Sequence, residues 1–470
     1  MERLKKIGNV APVHALQVEK SVLGIGFEKL DRAVFDPEKA YDKVAELGVK
    51  WVRIQSGWAR TEKEKGVYDF AWLDLIVDNL RRRGLQPWID LCYGNGLYDA
   101  EAAKVFGAVG CPPVKTDEQK KAWHDYVVAL VRRYAGKVEW FEVWNEPDGQ
   151  WCWKHGVDGR EYGEFVVATA QAVREGDPGA KVIGGVSCRH APEWLTDVIS
   201  TGAIKAIDAY SYHGYTADER ASVHRPRLIR ALCRQVNPAI KFIQGETGTQ
   251  SRSDGAGALK GMAWTPLKQA KFLLRILLSH LFEEVLIDSY FSCVDMIEAL
   301  NGRVGEKASY LDYGYFGVLG ATFDENGVAT GNYTPKPSYR ALQVLASIFR
   351  EEYEMKELPI RLTGQTSPRI GGWDASWQEM ISRTFVKPDG SSALVYWKPE
   401  NLLTSTLEST VTIQCAGVPG TPRLIDLLDG AVYEIPESIM KTGRNGVITF
   451  DNIPVKDSPL LLTFGDFAEY

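Results

Sequence analysis

Between residues 22 and 350 the chain alternates short apolar runs with longer stretches whose apolar positions recur every three or four residues. The short runs are rich in β-branched and aromatic residues and read as strands at 22–27, 50–55, 86–91, 138–146, 181–185, 206–212, 241–245 and 285–292. The longer stretches read as helices near 36–48, 70–83, 116–134, 161–174, 192–200, 225–235, 265–282 and 337–350. Local punctuation agrees with these limits. Asp36-Pro37 pairs a good N-cap with a residue preorganised for the first helical position, and Gly48 suits the exit. Thr116 and Gln119 form a capping box, and Thr265-Pro266 opens the most apolar helix. Eight strand–helix pairs in this length predict an α/β fold closed as a (β/α)8 TIM barrel. A doubly wound open sheet fits less well, because Gly24-Ile-Gly26 lacks the third glycine of a dinucleotide fingerprint.

After residue 351 the helical spacing stops. Runs at 380–386, 392–397, 410–414, 424–428, 447–450 and 460–464 read as short strands, separated by turns at Pro388-Asp-Gly, Pro419-Gly and Asp429-Gly. The expected organisation is a barrel over 22–350 and a β-sandwich over 351–470. Residues 1–21 are a candidate to complete the sandwich, through a strand near 14–18.

Composition narrows the function. A net charge of −6 and a pI near 5.8 argue against nucleic acid or an anionic membrane as partner. The seven cysteines are scattered with no CxxC pair, a pattern of free thiols rather than of a disulfide framework or zinc site. The opening Met-Glu-Arg-Leu-Lys-Lys leads into no apolar run, and none elsewhere reaches transmembrane length, so a cytoplasmic protein is expected. HExxH, Walker and GxSxG motifs are absent, so neither a metal nor any other cofactor is expected.

Strand four carries the candidate chemistry. Alternation along it places Trp140, Glu142, Trp144 and Glu146 on one face and Phe141, Val143 and Asn145 on the other. A carboxyl at a strand end beside indole rings suits a general acid, because partial desolvation raises its pKa. Barrel enzymes draw their reactive groups from the C-terminal ends of the strands. Those ends here are Glu28, Arg53, Tyr93, Asn145 with Glu146, His213 with Tyr215, and Glu246. Strands four and seven stand nearly opposite in an eight-stranded ring, so Glu146 and Glu246 are expected to face each other across its mouth. Two such carboxylates are the machinery of glycoside hydrolysis. Rings available to stack on a sugar face include Trp58, Tyr93, Trp151, Trp153, Trp264 and Tyr315, although Trp151 and Trp153 are equally suited to stiffening their own loop. The long segment 294–334 is expected to cover the site.

Trp144-Asn-Glu-Pro147 after strand four and Gly245-Glu-Thr-Gly after strand seven resemble the retaining clan A glycoside hydrolases. With the appended sandwich, family 39 (β-xylosidases and α-L-iduronidases) or a near neighbour is most similar. The resemblance implies Glu146 as acid/base, Glu246 as nucleophile, and Asn145 as partner of the sugar 2-hydroxyl. His213-Gly-Tyr215 is similar to the group's His-x-Tyr after strand six, where the tyrosine steadies the nucleophile. Arg53 either holds that nucleophile ionised or neutralises Glu142 inside the barrel. Many members end strand eight on a tryptophan that floors the sugar ring; here Asp288-Ser-Tyr-Phe-Ser292 leaves Tyr290 or Phe291 for that task. The expected function is a cofactor-free retaining exo-glycosidase acting on small saccharides, β-xylosidase-like or β-glucosidase-like. An endo-glycanase and a non-catalytic sugar-binding barrel are the alternatives.

Overall fold

The computed structural model describes residues 1, 4–104, 109–298, 312–363, 380–443 and 446–470. Eight parallel strands close into a barrel: β1 Leu23–Gly26, β2 Trp51–Gln55, β3 Gln86–Leu91, β4 Trp140–Val143, β5 Lys181–Ser187, β6 Ala209–His213, β7 Lys241–Thr247 and β8 Ile287–Tyr290. Each strand pairs with its neighbour in sequence, and β8 returns to β1. Helices lie outside, among them Ala71–Arg82, Asp117–Tyr134, Gly159–Gly176, Glu219–Val236, Pro266–Leu281 and Pro337–Ile348. Their starts follow the capping chemistry read from the sequence: Thr116 accepts from Gln119 N–H and Thr265 from Lys268 N–H.

Alternation along the strands sorts the barrel interior into layers. Trp88, Trp140, Ile183, Ala209, Ile243 and Ile287 form an apolar plug at the N-terminal end. One pleat higher, Arg53, Asp90 and Glu142 are fully buried and joined to one another. A third level, at the C-terminal ends, opens to a cavity of about 600 Å³. An apolar floor under a charged layer keeps water from the lower barrel, so the ion pairs above it act at low local dielectric.

Beyond the barrel, two antiparallel sheets form the expected sandwich. Seven strands in the order Lys5–Asn9, Ala431–Glu434, Pro422–Asp426, Leu460–Phe464, Ser392–Trp397, Ile381–Val386 and Glu354–Met355 face four in the order Ile360–Thr363, Glu408–Ala416, Val447–Lys456 and Met440–Thr442. The N-terminal strand is therefore Lys5–Asn9, and the strand expected near 14–18 is instead a 3-10 turn at Ala15–Gln17. His14 caps Leu16 N–H while Gln17 accepts from His14 N–H, and that reciprocal pair closes a turn. The helix expected over 36–48 is likewise shorter, a 3-10 turn at Pro37–Lys39 followed by Tyr41–Ala45.

Sandwich and barrel are pinned by a buried ion pair. Arg275 reaches Glu219 through Nε at 2.9 Å and Nη2 at 2.7 Å, donates through Nη1 to Glu400 O at 2.8 Å, and Glu219 also accepts from Trp397 Nε1 at 3.0 Å. Within 294–334, residues 299–311 lie outside the described set. The remainder holds a hairpin, Leu319–Phe323 with Ala329–Pro335, that has little apolar patterning to announce it.

Candidate active site

Both glutamates reach the barrel mouth through an irregularity. Strict alternation in β4 would send Trp144 inward, but the strand ends at Val143 and the chain turns left-handed at Trp144 (φ 67°) and again at Glu146 (φ 44°). Conformations of this kind cost on the order of 1–3 kcal/mol each for a residue with a side chain and persist where the surroundings hold them. Trp144 is turned out between Trp123, Trp153 and Phe165, its indole N–H bonded to Cys152 O at 2.8 Å. Asn145 and Glu146 consequently face the cavity together, not on opposite faces as alternation predicts. In β7 the register against β6 slips between Gln244 and Glu246, which brings Glu246 inward. Gly245 makes that possible, since a Cβ there would stand 2.4 Å from Ser211 Oγ.

Arg53 organises the layer beneath. Its Nε donates to Glu142 Oε2 at 2.7 Å, Nη2 to Asn145 Oδ1 at 2.9 Å, and Nη1 to Glu246 Oε2 at 3.1 Å. It therefore both neutralises Glu142 and holds Glu246. Asp90 stands 3.5 Å from Nη2, and burial pushes its carboxyl well above the usual range despite the cation. Tyr215 donates its hydroxyl to Glu246 Oε1.

Glu146 has different company. Trp151 Nε1 donates to its Oε2 at 2.5 Å, and His213 Nδ1 lies 3.0 Å from its Oε1 and 3.6 Å from Glu246 Oε2. Burial disfavours an imidazolium at His213, but the charge on Glu246 and the bond to Glu146 outweigh it and its pKa is raised. The nearest reactive atoms of Glu146, His213 and Glu246 all lie within 4.8 Å of one another. A cation seated there would compete with the Trp151, Tyr215 and Arg53 donors that these carboxylates already take.

The aromatic candidates divide. Trp151, Tyr93 and Phe291 line the cavity. Trp153 is fully buried against Trp144, Tyr162 and Phe165, and Trp264 packs on Phe272, so both are placed in the scaffold. Tyr290 is turned away from the cavity with its hydroxyl against Thr249 N–H, leaving Phe291 and Phe316 on that side. Trp58 is likewise internal, stacked on Tyr98 and Tyr126, and Tyr315 lies under Arg252.

Several lining residues have no motif around them. Lys29, Arg32, Arg189, Lys260 and Glu298 come from loops whose path only the fold determines. Asp148 acts from outside that lining: it accepts from the backbone N–H groups of Cys188, Arg189 and His190 at 2.9, 2.8 and 3.2 Å and so pins the loop after β5, which brings Cys188 and Arg189 to the cavity. The Glu-Pro-Asp continuation of the strand-four motif was its only signal.

Known proteins agree with this architecture. Over 162 residues the chain is 31% identical to a β-xylosidase of Geobacillus stearothermophilus, covering 33% of this chain and 32% of that protein. Over 334 residues it is 24% identical to a β-xylosidase of Caldicellulosiruptor saccharolyticus, covering 66% and 64% respectively. The chain thus spans less than two thirds of the length of either relative. Among solved structures, a family 39 glycoside hydrolase of Bacteroides cellulosilyticus superposes with a TM-score of 0.65 at 18% identity, over 94% of this chain and 80% of that one. A family 39 β-xylosidase of Caulobacter crescentus does so with a TM-score of 0.57 at 18% identity, over 98% and 99%. At these identities the likeness is one of fold. The model of glycosyl hydrolases family 39 matches residues 31–358, and the chain belongs to that family.

Proposed function

We propose that this protein is a retaining β-glycosidase that releases terminal xylosyl residues from small saccharides. The observation that carries the reading is the approach of the two carboxylates, whose nearest oxygens lie within 4.8 Å. Retaining sites keep such groups about 5–5.5 Å apart, whereas inverting sites leave room for a water molecule between base and sugar.

The surroundings divide the labour. Glu246, held by Arg53 and Tyr215, is the nucleophile, its two carboxylate oxygens oriented by separate donors. Glu146, between Trp151 and His213, is the acid/base. In the first step Glu246 attacks the anomeric carbon while Glu146 protonates the leaving oxygen. In the second, Glu146 takes a proton from water that cleaves the ester. Asn145, fixed by Arg53, is placed for the sugar 2-hydroxyl, and Phe291 and Phe316 supply the apolar side of the cavity. Residues 22–350 would form the catalytic unit, with 351–470 and the N-terminal strand as its companion. The β-xylosidases among the relatives favour exo action over endo action. The β-xylosidase relatives favour xylose over glucose as the glycone.

A panel of aryl glycosides tests the sugar, with the β-xyloside expected to give the highest kcat/KM. NMR of the first sugar formed, recorded before mutarotation, tests the mechanism: the anomer of the substrate should appear first. The opposite anomer would remove Glu246 from the nucleophile's role.

A further inference from the structure

Glu28 enters the cavity from an unexpected side. It follows β1 by two positions, and its carboxyl folds back over Gly26, where an added Cβ would stand 2.2 Å from Glu28 Oε2. The residue is 2% exposed, lines the catalytic cavity, and leaves Oε2 without a hydrogen-bond partner. Its Oε1 lies 3.4 Å from Arg53 Nη1, the same nitrogen that donates to Glu246 at 3.1 Å. One guanidinium nitrogen therefore serves two carboxyl groups, while Nε and Nη2 are taken by Glu142 and Asn145.

The ionisable groups facing Glu28 are Arg53 of β2, Glu246 of β7, Cys293 beyond β8 and the adjacent Lys29. Burial pushes the Glu28 carboxyl up to about 7, with Arg53 pulling it down and the charge on Glu246 pushing it further up. Arg53 and Glu246 thus act on it in opposite senses, and the proposed reaction removes one of them.

We propose that Glu28 is a positioning residue that takes over Arg53 from Glu246 while the glycosyl ester stands, releasing its proton to cavity water as it does so. This rests on the reading of Glu246 as nucleophile. In glycosylation the bond from C1 to the leaving oxygen breaks, a bond from C1 to a Glu246 oxygen forms, and Glu146 supplies the proton of the leaving group. The ester carries no charge, so Arg53 acts on Glu28 unopposed; Glu28 ionises and Nη1 turns to it. Hydrolysis of the ester restores the Glu246 carboxylate, and Glu28 recovers a proton from water. Over a full turn no proton is gained or lost. Arg53 is never left with a vacant Nη1, and so Glu246 returns to a site that has kept its geometry.

The test is a proton count. Enzyme is mixed with the 2-deoxy-2-fluoro glycosyl fluoride of the sugar it turns over, in weak buffer with an indicator dye, and protons released per ester are compared between wild type and Glu28→Gln. Contributions from Glu146 and from the fluoride are common to both. At pH 6 the wild type should release close to one proton more per site. That excess should shrink as the pH is raised to 8, because Glu28 is then ionised before the reaction. Equal counts, with peptide mass showing the ester on Glu246, overturn the role of Glu28 and leave the nucleophile standing. An ester on another residue overturns the nucleophile assignment and this inference with it. Should Glu28→Gln not fold, the count is taken in Glu146→Gln, which still forms the ester because fluoride leaves without acid help: a level count from pH 6 to 8 overturns the proposal, and a fall approaching one proton supports it.

Discussion

Replacing Tyr215 by phenylalanine removes one atom from the middle of the proposed machinery and almost nothing from the fold. The hydroxyl donates to Glu246 Oε1, while Glu246 Oε2 is held separately by Arg53 Nη1 at 3.1 Å. Without the hydroxyl the carboxylate keeps its cation but loses the bond that fixes its plane toward the sugar. A hydrogen bond to a charged group contributes about 1.5–3 kcal/mol, which corresponds to a fall in kcat/KM of roughly 10- to 150-fold. The ring itself stays anchored edge-on to Phe316 and Phe291, with centroids 5.6 and 6.5 Å away, so the melting temperature should not move. Burial and the neighbouring carboxylate push the phenol far above its ordinary pKa, so it remains a donor throughout the working range. The loss should therefore be the same at pH 5 and pH 8. Steady-state kinetics on one aryl glycoside at both pH values, with a thermal melt beside them, make the assay. An unchanged kcat/KM would show that Tyr215 does not position the nucleophile. A loss accompanied by a lowered melting temperature would show that it acts through packing.

Glu146→Ala should slow substrates with poor leaving groups far more than activated aryl glycosides, and added azide should restore turnover as a β-glycosyl azide; loss that is uniform across leaving groups, with no azide product, would exclude the acid/base role. Trp151→Phe and Trp153→Phe should separate: the first deletes a donor to Glu146 and should lower kcat/KM about 10-fold, while the second leaves kinetics near wild type and lowers the melting temperature, because Trp153 packs in the scaffold. Glu219→Ala leaves Arg275 buried without its anion and Trp397 without an acceptor, so chemical denaturation should show a loss of about 3–5 kcal/mol, and an unaltered unfolding midpoint would remove this pair from the contact between barrel and sandwich.

Much of this was legible along the chain, for a physical reason. Spacing of apolar residues and the residues that start and stop helices are local properties, so 86–91, 192–200 and 392–397 fall where the sequence places them. Where two local signals competed, as at 14–18, the capping chemistry of His14 and Gln17 prevailed over a short apolar run. Fold class also followed from sequence, because eight strand–helix pairs have few ways to close. So did the two carboxylates, since a strand end is a position along the chain before it is a position in space.

What the tertiary structure alone decided lies off that grid. Alternation put Asn145 opposite Glu146, and only left-handed turns at Trp144 and Glu146, stabilised by the indoles packed outside the barrel, brought the two together. The dual role of Arg53 emerged from five side chains on β3, β4, β7 and the segments after β1 and β4 converging on one guanidinium, which no spacing encodes. Trp151 and Trp153 stand two residues apart with the same chemistry, yet one meets the cavity and the other the core. Lys29, Arg32 and Glu298 became neighbours only because β8 closes on β1. Periodicity reports which side of an element is buried; it carries no record of which distant element will be there to meet it.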